Sequence, residues 1–233
     1  MYNEQVLLGS LLGDGCLTFS KRNINPLYSE CHSIKQLKYL EWKNQFFKCK
    51  IKPRKTYLKK TGKWYDGYYF RAGANAFFLQ YYYLFYKDGK KSVNNIILGK
   101  LKPLAVAVWF CDDGSYSYYN NNIKICVAGF SLRCKQLMSD YFKETYGIDF
   151  KIQKECIYLS SDDTKKFISV IKKHVPECMH YKLGMDAEKQ STQRQRNRLK
   201  CKNYWHTKKM DPEWIKKERL RLRNYMRIKR SNS

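Results

Sequence analysis

The chain is short of acidic residues. Asp and Glu number 20 against 46 Lys and Arg, which leaves a formal net charge of +26. A compact chain with that imbalance repels itself, and a polyanionic partner is the natural counterweight. Nucleic acid is the first candidate and an anionic membrane surface the second. Long apolar runs are also missing. None approaches the roughly 18 residues that a spanning helix needs, so no membrane partner is expected. The opening Met1-Tyr2-Asn3-Glu4 lacks the basic region and apolar stretch of a secretory signal. CxxC pairs are absent although there are nine cysteines. An odd count without paired spacing speaks against a disulfide framework or a zinc ribbon. It points to reduced thiols inside a cell: the cytoplasm of a bacterium or virus-infected cell, or an organelle.

What is present is enough for a core. The 233 residues are 43% hydrophobic, which suits one large domain or two fused halves. Residues 2–13 have helical spacing, with Leu7, Leu8, Leu11 and Leu12 on a broad apolar face. Gly9 and Gly13 sit four apart on it. A helical Gly costs about 1 kcal/mol against Ala, so the pair suggests that another backbone approaches closely. Strands follow from Cys16 to His32 around a turn at Asn23–Pro26. A helix is predicted over 34–47, a hairpin over 54–71 around Lys60–Lys63, and an aromatic helix from Asn75 to Tyr86.

The order then recurs. Pro103 opens a helix, strands flank Asn120–Asn122, and 132–146 is a helix that shares Lys-Gln-Leu with 34–47. Short strands over 149–153 and 155–160 precede a helix over 162–173. The chain thus reads αββαββα twice, an α+β architecture of two pseudo-symmetric halves offset by 99–100 residues. The boundaries fall at 1–98 and 99–184. Residues 185–233 form a basic, partly helical tail of net charge +11, against +15 for the rest. Within it, Gln190–Arg198 reads as a flexible polar linker. Asp211-Pro212 reads as the cap and first residue of a final helix.

Each half opens with a helix ending in Asp-Gly: LLGSLLGDG at 7–15 and VAVWFCDDG at 106–114. Asp-Gly alone is a turn signal. Its repetition at the end of an apolar helix is the specific feature, and it matches Asp14 with Asp113 rather than with Asp112. If the two helices pack side by side, two carboxylates meet at the negative ends of two helix dipoles. That arrangement needs a cation, and hard divalent ions with oxygen ligands fit it. With the positive charge of the chain, this points to phosphodiester hydrolysis.

The two segments resemble the paired signature motifs of single-chain LAGLIDADG homing endonucleases, and the length, duplication and element order agree with that family. The resemblance covers about residues 5–184. It implies two halves packed on the two motif helices and a monomer that cuts double-stranded DNA. Asp14 and Asp113 become the metal-binding acids, helped by the backbone carbonyls of Gly13 and Asp112. The expected metal is Mg²⁺, with Mn²⁺ as a substitute. Lys91 (in GKKSVNN) and Lys182 (in HYKLG) look like the two active-site lysines, and Asp112 occupies the motif's small-residue position. Val108 stands where the first motif has Gly9, so asymmetric helix packing is expected. His32 and, in the second half, Ser131 lie where the family often places a polar residue near the water network.

Alternating polar positions on the strands offer a DNA-reading face: Lys21, Arg22, Arg54, Tyr57, Lys59, Lys63, Arg71, Lys124, Lys151, Gln153 and Lys154. A twisted ribbon fits the major groove, and Lys and Arg on phosphates supply affinity. Two similar but non-identical halves imply a long, pseudo-palindromic or asymmetric target. Two alternatives stand beside this reading. One is an RNA-binding intron maturase on the same fold, with its own intron RNA as partner, which the basic tail keeps open. The other is a non-catalytic DNA-binding regulator, against which both acids and both lysines argue.

Overall fold

The computed structural model describes residues 2–21, 23–59, 61–185 and 187–231. Arg22, offered above as a DNA contact, and Lys60 of the hairpin turn lie outside the described residues. These fall into two compact units, Met1–Met185 and Asp186–Ser233.

In the first unit the chain runs α1 (Glu4–Leu12), β1 (Cys16–Thr18), β2 (Leu27–Ser33), α2 (Leu37–Asn44), β3 (Lys52–Leu58), β4 (Lys63–Ala72) and α3 (Ala76–Phe85). A short connection follows: β5 (Tyr86–Lys87), β6 (Lys90–Lys91) and α4 (Asn95–Gly99). The second half repeats the first: α5 (Pro103–Asp113), β7 (Gly114–Ser117), β8 (Asn122–Cys126), α6 (Leu132–Tyr146), β9 (Phe150–Ile152), β10 (Cys156–Leu159) and α7 (Ser161–Ile171). The two main sheets have corresponding strand orders, β1-β2-β4-β3 and β7-β8-β10-β9, with every pairing antiparallel.

At the centre α1 packs on α5. Asn3 starts α1 by accepting from the backbone N–H groups of Gln5 and Val6 at 3.0 and 3.2 Å, and Pro103 occupies the first turn of α5. Val6 to Leu12 and Ala105 to Cys111 are buried without interruption, so both helices are enclosed on all sides. Leu7, Leu8 and Leu11 are fully buried, each contributing roughly 1.5–3 kcal/mol. The close approach expected at Gly9 is present. A Cβ there would lie 2.7 Å from Val108 Cβ and closer still to the Ala105 carbonyl.

Two expectations need correction. The segment 34–47 is not one helix: Ile34–Gln36 form a 3-10 turn, α2 begins at Leu37, and Ile34 is exposed. Its early end has a local cause, because the Asn44 side chain bonds both backbone groups of Cys49, at 2.7 and 2.9 Å, and turns the chain. Nor is Gln190–Arg198 a linker. It lies inside α8 (Ala187–Lys209), as its Gln and Arg content and lack of Gly and Pro allow.

The second unit consists of α8 and α9 (Pro212–Ser231). Asp211 accepts from the Trp214 N–H at 3.1 Å, and Trp205 meets Trp214 edge-on at 5.6 Å between ring centroids. No helix among the described residues is long and apolar enough to cross a membrane.

Candidate active site

Asp14 follows the C-terminal end of α1, and Asp113 is the last residue of α5. The Asp14 side chain is 42% exposed. Asp113 is largely enclosed; burial first, then the charges of Asp14 and Asp112, push its carboxyl from the usual 3.8 up to about 7. Two acids are therefore close enough to repel, as their places at the helix ends require.

Each helix end also receives a lysine. Lys91, on β6, donates to the Gly13 carbonyl at 2.6 Å. Lys182, from the 3-10 turn Glu177–Leu183, donates to the carbonyls of Cys111 and Asp112 at 2.5 and 3.1 Å. An ammonium at a helix C-terminus satisfies orphan carbonyls and meets the negative end of the dipole. Burial lowers both lysine pKa values. The structure thus gathers Asp14, Asp113, Lys91, Lys182 and the carbonyls of Gly13 and Asp112 around the two helix ends. It gives those carbonyls lysine partners.

Behind Asp14 lies a polar cluster that the sequence reading did not assemble. Along β2 the buried positions are Tyr28, Glu30 and His32. Glu30 accepts from Tyr28 Oη at 2.5 Å, meets His32 Nε2 at 3.0 Å, and forms a tight ion pair with Lys43 of α2. Lys43 Nζ also bridges both oxygens of Asp112, at 2.7 and 2.8 Å. Tyr39 Oη donates to Asp112 Oδ1 at 2.9 Å, and the Asp14 backbone N–H donates to Asp112 Oδ2 at 3.2 Å. His32 Nδ1 closes the ring, 3.6 Å from Asp14 Oδ2. A signal for part of this was available: Glu30 and His32 sit at the inward positions of an alternating strand, where a charge needs a partner.

The electrostatics of the cluster are one-sided. Burial alone would raise the Glu30 carboxyl, but Lys43 and then His32 outweigh it and bring the pKa down to about 2. Burial would lower Lys43, but Asp112 and Glu30 outweigh it and hold the ammonium charged. For His32, burial is overcome by the hydrogen bond and charge of Glu30, and the net shift is upward. Burial raises Asp112 to about 6 in spite of Lys43, with the charges of Glu30 and Asp14 adding to it.

Ligand atoms of Asp14, His32 and Asp112 all lie within 4.8 Å of one another, a group able to hold a metal ion. This set contains Asp112 and His32 but not Asp113. Ser131 stands apart as the N-cap of α6, where it bonds Cys134. The ten described residues offered as DNA contacts are all exposed. Arg54 and Arg71 line one groove with Asp14, Cys16 and Tyr69, while Lys124, Lys151 and Gln153 line a second groove on the other sheet.

Paired acids and lysines at the ends of two packed helices, flanked by two sheets with exposed basic residues, define a two-motif α+β protein. Residues 4–167 match the LAGLIDADG DNA endonuclease family, and the chain belongs to that family of DNA-cleaving nucleases. It is similar to the "Protein RecA" of Mycolicibacterium chitae, 28% identical over 197 residues, covering 77% of this chain and 45% of that one. The chain thus spans under half the length of that relative. It is also similar to the DNA endonuclease I-ChuI of Chlamydomonas applanata, 26% identical over 204 residues, covering 78% of this chain and 94% of that one. In fold it resembles the homing endonuclease I-WcaI bound to its DNA recognition sequence. There the TM-score is 0.70 at 20% identity, covering 77% of this chain and 84% of that one.

Proposed function

We propose that the chain is a site-specific endonuclease that hydrolyses both strands of a long, pseudo-palindromic or asymmetric DNA target as a monomer. The observation that carries this reading is the matched pair of helix ends, each bearing an aspartate and a lysine. The donor set fits a hard divalent cation, taken here as Mg²⁺ with Mn²⁺ as a substitute. Asp113 is the sign of it: a carboxyl raised to about 7 by burial and like charge gains most from a neighbouring cation. Such an ion supplies charge stabilisation to the attacking and leaving oxygens of an in-line displacement.

Asp14 and Asp113 hold the cation in this scheme, with the carbonyls of Gly13 and Asp112 as further oxygens. In this scheme Lys91 and Lys182 polarise the scissile phosphate or the attacking water, and their lowered pKa values ease a proton's departure. The exposed basic strand residues bind phosphates and present side chains to the major groove. The maturase reading rests on the +11 carried by residues 185–233 and adds intron RNA as a second partner.

The test is cleavage with Mg²⁺ of a DNA library spanning the uninterrupted gene junction that a mobile intron or intein would occupy. Wild type is expected to make one double-strand break there. Asp14→Asn and Asp113→Asn should each lose about 100-fold or more in rate while still binding the DNA. A wild-type protein that leaves every junction intact removes the enzyme reading. Full cleavage by Asp113→Asn removes the site assignment.

A further inference from the structure

We propose that Lys43 is a positioning residue, whose buried ammonium withholds the Asp112 carboxylate from the metal and turns it into a clamp on Asp14. The inference rests on the nuclease reading only for its kinetic consequences.

The coordination of Asp112 carries the argument. An ionised carboxylate offers about four lone-pair sites. Asp112 has four donor contacts: Tyr39 Oη and Lys43 Nζ on Oδ1, and Lys43 Nζ and the Asp14 N–H on Oδ2. No lone pair is left for a cation, although Asp112 lies within metal-binding reach of Asp14 and His32. The side chains of Lys43, Glu30 and Asp112 are all fully enclosed. A charge buried that completely persists only when paired, so Lys43 is committed to these two carboxylates.

The cluster holds Asp14 from two directions. Asp112 Oδ2 takes its backbone N–H, and His32, itself held by Glu30, stands 3.6 Å from its side chain. The arrangement is confined to the first half. With Asp14 matched to Asp113, Cys16 corresponds to Ser115, and the strand registers then match Tyr28, Glu30 and His32 with Ile123, Ile125 and Val127. The residue matching Asp112 is Gly13, which has no side chain to be received. A Cβ at Gly13 would meet Asp112 Cβ at 2.5 Å. Each motif helix therefore offers what the opposite half accepts: a carboxylate toward Lys43, and nothing toward the apolar side.

Three variants test this. Asp112→Asn keeps the backbone carbonyl and one acceptor oxygen for Lys43 and Tyr39 but sets an amide NH₂ donor against the Asp14 N–H. Cleavage should therefore fall by about 10-fold, as a lost clamp requires, while Asp113→Asn loses about 100-fold or more. Equal, near-complete loss in both overturns the proposal, because Asp112 is then itself a ligand. Lys43→Met with Glu30→Gln conserves net charge and releases Asp112. Titration of this folded protein with Mn²⁺, followed by electron paramagnetic resonance, should show affinity raised about 5-fold or more, since a third carboxylate joins the site. Adding Asp112→Asn should return it to the wild-type value. An unchanged Mn²⁺ isotherm in the folded double variant overturns the proposal. If the double variant does not fold, the Asp112→Asn comparison decides. The Mn²⁺ arms do not need cleavage, so a wild type without nuclease activity would remove the functional reading and leave this one standing on its own data.

Discussion

The two halves share a topology and differ in what they carry. The first sheet has a long outer hairpin, with strands of 7 and 10 residues in β3 and β4; the second has strands of 3 and 4 in β9 and β10. The first half buries Glu30 and His32 where the second half buries Ile125 and Val127, and it also buries Lys43 on α2. The first motif helix offers Gly9 and Gly13, and the second Val108 and Asp112 at the same places. Strand order is thus preserved by the repeat, because backbone pairing does not depend on which residues point inward. Interior polarity and hairpin reach are set residue by residue, and there the halves part.

The helix interface is where exchanging the halves should do most damage. Gly9→Val would place a side chain where Val108 Cβ is 2.7 Å away and the Ala105 carbonyl nearer. One of these is backbone, so the two helices must separate. We expect a loss of about 3 kcal/mol or more, read as a drop in melting temperature. The reverse change, Val108→Gly, only empties space and adds backbone freedom, at about 1–3 kcal/mol. Equal losses would mean that the helices are not held apart by this contact alone.

Acid strength separates the halves in opposite directions. Asp113 holds its proton up to about pH 7 when folded, against the ordinary carboxyl value of 3.8. Its contribution to stability is full below about 3.8 and is lost as pH rises through 7. Glu30 does the reverse: lowered from 4.5 to about 2, it stabilises the fold above 4.5 and stops doing so as pH falls toward 2. Metal-free protein should therefore be less stable at about pH 8 than at about pH 6, by on the order of 1–3 kcal/mol from Asp113. Mg²⁺ should restore the difference at the higher pH, since a ligand of the native state stabilises it. Asp113→Asn should flatten this dependence and leave the acid limb from Glu30 intact. A melting temperature that rises from pH 6 to 8 without metal would contradict the assignment of Asp113 as the strained acid.

Most of the architecture was legible because it is local and repeated. Helical spacing of Leu7, Leu8, Leu11 and Leu12, the Pro103 start and the matched Asp-Gly endings need only neighbours in sequence. So does α6, whose limits at Leu132 and Tyr146 fall where expected because Ser131 caps one end and Gly147, at φ 63°, closes the other. The polar cluster was not legible. Glu30, Lys43 and Asp112 come from a strand and two helices, with Lys43 and Asp112 separated by 69 positions. Nothing in the spacing of lysines distinguishes a fully buried one from 45 other basic residues. The short β5, β6 and α4 carried too few residues for a periodicity. Gln190–Arg198 is polar without being flexible, because Gln and Arg favour helix and α8 needs no apolar face to be continuous there.

The smallest expected effects lie at the sheets, and they compare the two hairpins as binding ribbons. Arg54 and Arg71 are exposed on the long hairpin and line the groove that contains Asp14. Lys151 is exposed on the short one, in a groove without either motif aspartate. A cation on a phosphate contributes to affinity chiefly by releasing counterions, so losing one contact lowers the slope of log K against log salt by about 0.9. Arg54→Ala and Arg71→Ala should each show that reduction and weaken target binding by about 3- to 10-fold at moderate salt. Lys151→Ala should change affinity by less than about 3-fold, because a ribbon of so few residues offers fewer contacts around it. None of the three should move the melting temperature measurably, since exposed charges away from special features stay within about 0.5 kcal/mol. Equal slopes for Arg54→Ala and wild type would place the long hairpin off the phosphates, and the difference in strand length would then have no part in recognition.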